Sequence, residues 1–232
     1  MTSGVSGALR PALSILQLDT HFPRIPGDVA CPETYRAPVQ IIRVPGACVS
    51  AVVRRDPARL DIGPFEAALT KAEGDVVATS CGFLSYWQKH LQERAARPVI
   101  SSSLIALSRL ARRYDPDELA ILTFDQAALG AAYLGAYGSY ARSIFGLPEG
   151  SALRRAIEGS TGFDADEVSC EICALAQSAQ TSQSGRIRHL LFECTNFPPY
   201  TGAVRARTGL SVTHILSEIE AVCPGLVRPE FL

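Results

Sequence analysis

The sequence DVVATSCGF occupies residues 75–83 and joins a short apolar run to a polar turn that contains a cysteine. Such a run is typical of a buried strand in a parallel sheet, and the apolar spacing of residues 84–96 predicts a helix directly after it. The same analysis predicts strands in five further segments: residues 14–19, 39–44, 98–103, 119–124 and 187–194. Strands that alternate with helices indicate βαβ units, so the sequence predicts an α/β fold with mostly parallel sheets.

The segments with helical spacing lie between and after these strands. Helices are predicted at residues 64–73 and 104–114, in several segments of residues 127–179, and at residues 213–222. In such α/β folds ligands bind beyond the carboxyl ends of the strands. The residues that directly follow each predicted strand are therefore the first candidates for a functional site.

The length and composition of the chain limit its function classes. The chain has 232 residues, of which 47% are hydrophobic and 19% charged, which is enough for a sizeable core and excludes general disorder. Lys and Arg number 22 against 23 Asp and Glu, so the net charge is −1 and the basic excess that nucleic-acid binding needs is absent. The least polar stretch, residues 127–138, is too short and too rich in glycine to span a membrane. We therefore expect neither a nucleic acid nor a membrane as a partner.

The chain contains seven cysteines, and residues 1–10 lack the apolar run of a secretory signal. We therefore expect a cytoplasmic protein with reduced thiols. Cys170 and Cys173 form a C-x-x-C motif, but it lies in a predicted helix without a second pair or a nearby histidine. Helix packing accounts for it better than zinc or redox chemistry, and no metal site is predicted. Walker A, G-x-G-x-x-G and H-E-x-x-H motifs do not occur, which argues against nucleotide, dinucleotide and zinc-protease chemistry.

Two cysteines follow predicted strands in similar contexts. Cys81 ends the sequence VVATSC, and Cys194 ends the sequence LLFEC about half a chain length later. Backbone N–H groups at the start of a helix stabilise a thiolate and lower its pKa. Two such thiols facing one cleft can remove a proton from a carbon and return one to its other face, without a cofactor. Buried packing is the commoner fate of free cysteine, so the residues alone leave both interpretations open.

A resemblance to a known family favours the catalytic interpretation. The sequence ECTNFPP at residues 193–199 resembles the second cysteine motif of the aspartate/glutamate racemase superfamily, and DVVATSCG occupies the place of the first. Residues 18–28, LDTHFPRIPGD, resemble the start of uncharacterised members. The resemblance implies two similar Rossmann-like lobes with the active site in the cleft between them. Lobe 1 would comprise residues 1–101 plus 208–232 and carry Cys81, and lobe 2 would comprise residues 102–207 and carry Cys194.

The resemblance also implies roles for individual residues. Cys81 and Cys194 would be the catalytic acid–base pair. The backbone N–H groups next to them would hold the carboxylate of a small substrate, and Asp19 would support a cysteine. Independently of the resemblance, the position of Arg24 on the loop after the first strand allows two roles, a ligand for a carboxylate or a loop or subunit-contact residue. The predicted substrate-binding residues are Asp19, Thr20, Ser80, Gly82, Phe83, Thr123, Thr195 and Asn196.

Two departures from the amino-acid racemases bear on the substrate. Their first motif is usually Cys-Asn-Thr, whereas this chain has Cys81-Gly82-Phe83, and Asn196 stands where glutamate racemases have His. Other members of the superfamily are arylmalonate decarboxylases, maleate isomerases and lyases of dimethylsulfoniopropionate (DMSP), in which a cysteine removes the proton next to a carboxylate. The rings of Phe83, Phe197 and Tyr200 would suit such a less polar or cationic substrate.

The first functional prediction is a cofactor-independent racemase that acts on a small carboxylic or amino acid. The alternative is a lyase or decarboxylase on the same fold, for example one that cleaves DMSP to dimethyl sulfide and acrylate. A third possibility, from another class, is a non-catalytic carboxylate-binding protein. Members of the superfamily are often dimers, so by analogy we expect a homo-oligomer, most simply a dimer.

Overall fold

A computed structural model of the chain describes residues 10–159, 161–182 and 186–232. Within these residues eight strands form two four-stranded sheets in which every pairing is parallel. The first sheet has the order β2–β1–β3–β4, with β1 at Leu13–Gln17, β2 at Val39–Arg43, β3 at Val76–Thr79 and β4 at Val99–Ile100. The second has the order β6–β5–β7–β8, with β5 at Leu119–Thr123, β6 at Ile144–Gly146, β7 at His189–Phe192 and β8 at Ser211–Thr213.

The two sheets have the same topology. Counted from its own first strand, the second sheet repeats the strand order of the first. The predicted α/β fold with two similar lobes is therefore confirmed. Because the order of strands is the same in both sheets, the turns after β3 and after β7 occupy equivalent places in the two lobes.

Eight α-helices accompany these strands in the described residues, and short 3₁₀ helices join several of them. Among the described residues no helix combines the length and the apolar character needed to cross a membrane. The α-helices are α1 at Val49–Val52, α2 at Gly63–Leu69, α3 at Gln88–Arg94, α4 at Leu107–Leu110, α5 at Ala152–Gly159, α6 at Ala165–Ser182, α7 at Thr201–Thr208 and α8 at Ile215–Val222.

The central strands β1, β3, β5 and β7 are buried along their whole length, because each is an apolar run covered on both faces. Successive side chains alternate between those faces. Leu16 on one face of the first sheet shares a hydrophobic core with Leu191 of the second sheet. Ile15 on the opposite face packs with Ile215 and Ile219 of α8. A common core thus joins the two lobes and holds the ends of their strands together.

The lobe boundaries drawn from the sequence stay a prediction, but one detail needs correction. β8 pairs with β7 in the second sheet, although residues 208–232 were expected in the first lobe. The segment that follows, α8, does pack on the first sheet. The predicted helix at residues 213–222 accordingly begins two residues later, after the buried N-cap residue His214, whose ring nitrogen accepts the N–H of Ser217.

β6 and β8 also correct the predicted secondary structure. Residues 144–146 lie in a range that was expected to be helical, and residues 211–213 were not expected to form a strand. Each strand has three residues, which is too short to display the alternation that identifies a strand in a sequence. Their pairing with β5 and β7 decides their conformation.

A buried hydrogen bond links the two sheets, and its removal is expected to destabilise the protein. The Ser103 hydroxyl, which follows β4, donates to the Phe192 carbonyl at the end of β7 over 2.6 Å. Ser103→Ala should lower the free energy of unfolding by about 1–3 kcal/mol, the usual cost of a lost buried hydrogen bond. Urea denaturation measures this change. The control is Ser108→Ala, which removes an exposed hydroxyl bonded within its own turn; equal stability of the two variants would contradict the prediction.

Candidate active site

A narrow cavity of about 30 Å³ lies where the carboxyl ends of the two sheets meet, and it opens to solvent. Cys81 from the first lobe and Cys194 from the second both line it. Most of the other lining side chains are apolar, and the polar ones follow β1, β3 and β7. The polar lining residues are Thr20, Arg24, Ser80, Glu193, Thr195 and Asn196.

The two cysteines have equivalent surroundings in the two lobes. Cys81 follows β3 and caps a short 3₁₀ helix, whereas Cys194 follows β7 and precedes another. Each sulfur receives a hydrogen bond from the backbone N–H two residues further on, from Phe83 in the first lobe and from Asn196 in the second. Both thiols are buried, with 8% and 6% of the residue exposed. The structure therefore brings the predicted pair to one cavity, with one thiol from each lobe.

The charge state of these thiols differs from the sequence-based expectation. Burial raises the pKa of Cys81 to about 12, and it raises the pKa of Cys194 well above its ordinary value. The nearby carboxyl group of Glu193 adds to both increases, while the backbone N–H groups oppose them. The helix N-termini therefore do not lower the thiol pKa as predicted, because desolvation of a thiolate outweighs one N–H donor.

One hydrogen bond joins the two cysteine-bearing turns, and a second fixes the first of these turns to β1. The Thr195 hydroxyl donates to the Ser80 carbonyl over 2.7 Å, which joins the residues next to the two cysteines across the lobes. The Ser80 hydroxyl in turn accepts the N–H of Leu18 over 2.9 Å at the end of β1. The predicted residues Ser80 and Thr195 thus lie in the cavity wall and set the relative position of the thiols.

A chain of hydrogen bonds runs from Cys194 to the loop after β1. The thiol lies 3.7 Å from the Asn196 side-chain oxygen, and the Asn196 amide donates to Asp28 over 2.5 Å. Both oxygens of Asp28 accept from one Arg24 nitrogen at 3.1 Å, and another donates to Thr20 over 3.0 Å. Arg24, considered above as a carboxylate ligand, therefore binds a carboxylate of its own chain. Its buried Nε has no hydrogen-bond partner among the described residues.

Two of the predicted binding residues do not line the cavity. The Asp19 carboxylate accepts the N–H of Gly46, lies 3.7 Å from Arg43, and borders the outer opening next to the cavity. Thr123 is completely buried behind the cavity wall, where its hydroxyl donates to Glu193 over 2.5 Å. The remaining predicted residues, Thr20, Ser80, Gly82, Phe83, Thr195 and Asn196, all belong to the lining.

The sequence analysis missed Glu193 and Asp28. Glu193 is 1% exposed and lies in the cavity wall, and Asp28 is 3% exposed and orients Arg24. Both stand inside the quoted motifs, and an acidic residue that ends a buried apolar strand is unusual enough to have marked Glu193. Burial raises the pKa of Glu193 to about 7 even though the Thr123 hydrogen bond lowers it.

The apolar lining contains aromatic rings, but not all of those expected. Phe83 lines the cavity, together with Phe22 and Phe124. Phe22 also lies under the Arg24 guanidinium, 4.1 Å from its central carbon. Phe197 belongs instead to the core of the second lobe, packed edge to face on Phe192, and Tyr200 belongs to the same core.

The C-x-x-C motif lies on α6, and neither of its cysteines lines the cavity. Cys173 packs in the core of the second lobe, while Cys170 is exposed. In residues 10–159, 161–182 and 186–232 no three His, Cys, Asp or Glu side chains are grouped closely enough to bind a metal ion. Of the two cysteines, only Cys173 has the packing role that the sequence predicted.

Solved structures share this architecture at low sequence identity. Allantoin racemase from Pseudomonas fluorescens superposes with a TM-score of 0.59 at 14% identity, covering 90% of this chain and 88% of that one. Arylmalonate decarboxylase gives 0.56 at 12% identity and covers 94% and 96%. Glutamate racemase RacE1 from Bacillus anthracis gives 0.54 at 12% identity and covers 94% and 84%. The chain has the aspartate/glutamate racemase fold.

The relatives found by sequence are lyases of dimethylsulfoniopropionate. A DMSP lyase of Durusdinium sp. clade D is 28% identical over 233 residues, which is 95% of this chain and 77% of the relative. DMSP lyase 6 of Emiliania huxleyi is 30% identical over 239 residues, which is 95% of this chain but 61% of the relative. As the sequence analysis expected, the chain is similar in sequence to DMSP lyases and in fold to the racemases. No family model matches the chain.

Proposed function

We propose that the chain is a cofactor-independent lyase that cleaves DMSP to dimethyl sulfide and acrylate, with one thiol of the pair Cys81 and Cys194 as the base. The observation that carries the choice of reaction is the sequence relationship to DMSP lyases, which extends over 95% of the chain. Racemisation of a small carboxylic acid, the first prediction from the sequence, is the second candidate. The presence of one thiol from each lobe at a single cavity supports it.

The proposed reaction is an elimination. A thiolate takes the proton from the carbon next to the substrate carboxylate, and the electron pair of that C–H bond forms the carbon–carbon double bond of acrylate. The bond between the β-carbon and the sulfonium sulfur breaks, and dimethyl sulfide leaves with the electron pair of this C–S bond. One proton per turnover passes from the substrate to the protein and finally to solvent. The chemistry requires a base in a dry cavity and no external co-reactant.

The cavity lining supports a substrate with a carboxylate at one end and a sulfonium at the other. The unpartnered Nε of Arg24 is a charge-assisted donor for the carboxylate. The rings of Phe83 and Phe124 offer apolar surfaces on which a dimethylsulfonium group is attracted by the aromatic quadrupole. Both features belong to one cavity, so a small zwitterion can engage them together.

A direct assay tests the proposal. Purified protein should release dimethyl sulfide and acrylate from DMSP in equal amounts, measured by headspace gas chromatography and proton NMR. Prior dialysis against EDTA should leave the rate unchanged, because the proposed reaction uses no metal. Exchange of the α-proton of amino or carboxylic acids in D₂O with stereoinversion, and no alkene, would instead support the racemase. Absence of both reactions across a broad panel of acids would leave the non-catalytic carboxylate-binding protein.

The proposed partner, oligomeric state and location are those expected from the sequence. The small carboxylate is the proposed partner, and the dimer and the cytoplasmic location stay predictions. Sedimentation of the purified protein measures the oligomeric state, and fractionation of cells that express the full gene measures the location.

A further inference from the structure

Glu193 lies where a carboxyl group can exchange protons with a thiol. Its Oε2 accepts the Thr123 hydroxyl, while its Oε1 is buried without a hydrogen-bond partner among the described residues. It directly precedes Cys194, and it packs against Gly82, the residue after Cys81. A buried carboxyl oxygen without a partner is costly, so its retention in a cavity wall points to a functional use.

The contact between Gly82 and Glu193 spans the two lobes and requires glycine. A Cβ atom at position 82 would lie 2.2 Å from Glu193 Oε1 and 2.4 Å from the Glu193 carbonyl oxygen. Any other side chain at this position would displace the carboxyl group or the end of β7. The replacement of the usual Asn by Gly82 after the first cysteine therefore makes room for an acidic group from the opposite lobe.

Several titratable groups surround Glu193, and their pKa values show which group changes charge near neutral pH. Cys81, Cys194, Tyr133 and Asp125 interact with its charge. Burial and the Glu193 charge raise the pKa of both thiols and favour their neutral forms, and burial also raises the pKa of Tyr133. Burial raises the pKa of Glu193 itself to about 7, so at neutral pH it can take up or release a proton.

The two candidate reactions differ in their need for such a group. Racemisation returns a proton to the substrate, so once one thiol of the pair is ionised, the pair keeps one thiolate and one thiol through every turnover. Elimination from DMSP releases one proton per turnover, and a neutral thiol must first lose its own proton to become the base. The lyase therefore needs a proton acceptor beside the cysteines.

We infer that Glu193 is the positioning residue that accepts the thiol proton when substrate enters and later delivers it to solvent; this inference rests on the proposed lyase activity. In the first step a thiol and the Glu193 carboxylate become a thiolate and a carboxylic acid. The thiolate then takes the α-proton and is a thiol again. The carboxylic acid finally releases its proton to water, which restores the carboxylate and accounts for the one proton that the reaction produces.

The pH profile of Glu193→Gln tests this role. In the wild-type protein kcat/KM should rise about tenfold per pH unit and level off near pH 7, because the carboxylate is the active form. Glu193→Gln should lower kcat/KM at pH 8 by ~10²–10³-fold and lose the levelling near pH 7. Glu193→Asp should regain part of the rate and keep a levelling step. Glu167→Gln, which changes an exposed carboxylate on α6, is the matched control and should behave like wild type.

A second variant separates proton transfer from a structural role. The Thr123 hydroxyl stabilises the ionised form of Glu193, so Thr123→Val should raise the Glu193 pKa and shift the levelling step to higher pH. A levelling step that stays in place in both Thr123→Val and Glu193→Gln, with dimethyl sulfide still produced, would overturn the inference and leave the lyase intact. Absence of dimethyl sulfide from the wild-type protein at every pH would overturn both.

A stability measurement checks the titration of Glu193 without reference to turnover. A carboxyl pKa raised on folding stabilises the folded state below the unfolded pKa, and this stabilisation is lost as pH rises through the folded value. The free energy of unfolding of the wild-type protein should therefore fall relative to Glu193→Gln between about pH 4.5 and pH 7. A constant difference across this range would contradict the inference.

Discussion

Replacing Cys81 or Cys194 with serine is expected to lower the rate of dimethyl sulfide release by ~10²–10⁴-fold while the fold persists. Serine has nearly the same size and can accept the same backbone N–H, from Phe83 or from Asn196. Its hydroxyl is a far weaker acid than a thiol, so the alkoxide needed to remove the α-proton does not form. The variant that lacks the base should lose more activity than the variant that lacks the second thiol.

Initial rates with DMSP, circular dichroism and urea denaturation together check this expectation. Cys170→Ser is the matched control, because Cys170 is an exposed cysteine on α6 outside the cavity. It should retain full activity and stability. Full activity in both Cys81→Ser and Cys194→Ser would falsify the two-thiol mechanism for every reaction considered, including racemisation.

Gly82→Ala is expected to damage both stability and activity. The new methyl group would lie 2.2 Å from Glu193 Oε1 and 2.4 Å from the Glu193 carbonyl oxygen. The carbonyl belongs to the backbone, and the N–H of Glu193 donates to the Leu122 carbonyl. A side-chain rotation therefore does not relieve this contact. Overpacking of this kind costs about 1–3 kcal/mol or more of the free energy of unfolding, and the displaced carboxyl group should reduce kcat/KM as well.

A second glycine supplies the control for this substitution. Gly202 lies on α7 with no atom within 4 Å of a Cβ built there. Because alanine is favoured over glycine within a helix, Gly202→Ala should raise the free energy of unfolding by up to about 1 kcal/mol. The two Gly→Ala variants should thus shift the urea midpoint in opposite directions. A Gly82→Ala protein as stable as the Gly202→Ala protein would disprove the close contact between the lobes.

The central strands could be predicted from the sequence because the pattern that identifies each one lies within the strand itself. β1, β3, β5 and β7 are apolar runs, and a run of this kind is recognisable without knowledge of its neighbours. The three-residue strands β6 and β8 contain no such pattern. They form because β5 and β7 present unpaired backbone edges, which is a property of the assembled sheet.

The same division applies to the site. The positions of Cys81 and Cys194 after equivalent strands predicted that two thiols would meet, and parallel strands bring their carboxyl ends to one edge. The chain of contacts from Asn196 through Asp28 to Arg24 joins residues far apart in sequence, so no local pattern indicated it. Asp19 was the more obvious acid of the first loop, yet it pairs with Arg43 outside the cavity.

By itself the sequence determined the fold class and the two cysteines at the strand ends, because both depend on periodicity and on position within a strand; the two similar lobes were what the family resemblance implied. Only the tertiary structure decided the charges at the site. Burial reversed the expected direction of the thiol pKa, and it brought Glu193 against Gly82 of the opposite lobe. Desolvation is a property of everything packed around a group, and most of what surrounds these thiols is distant from them along the chain.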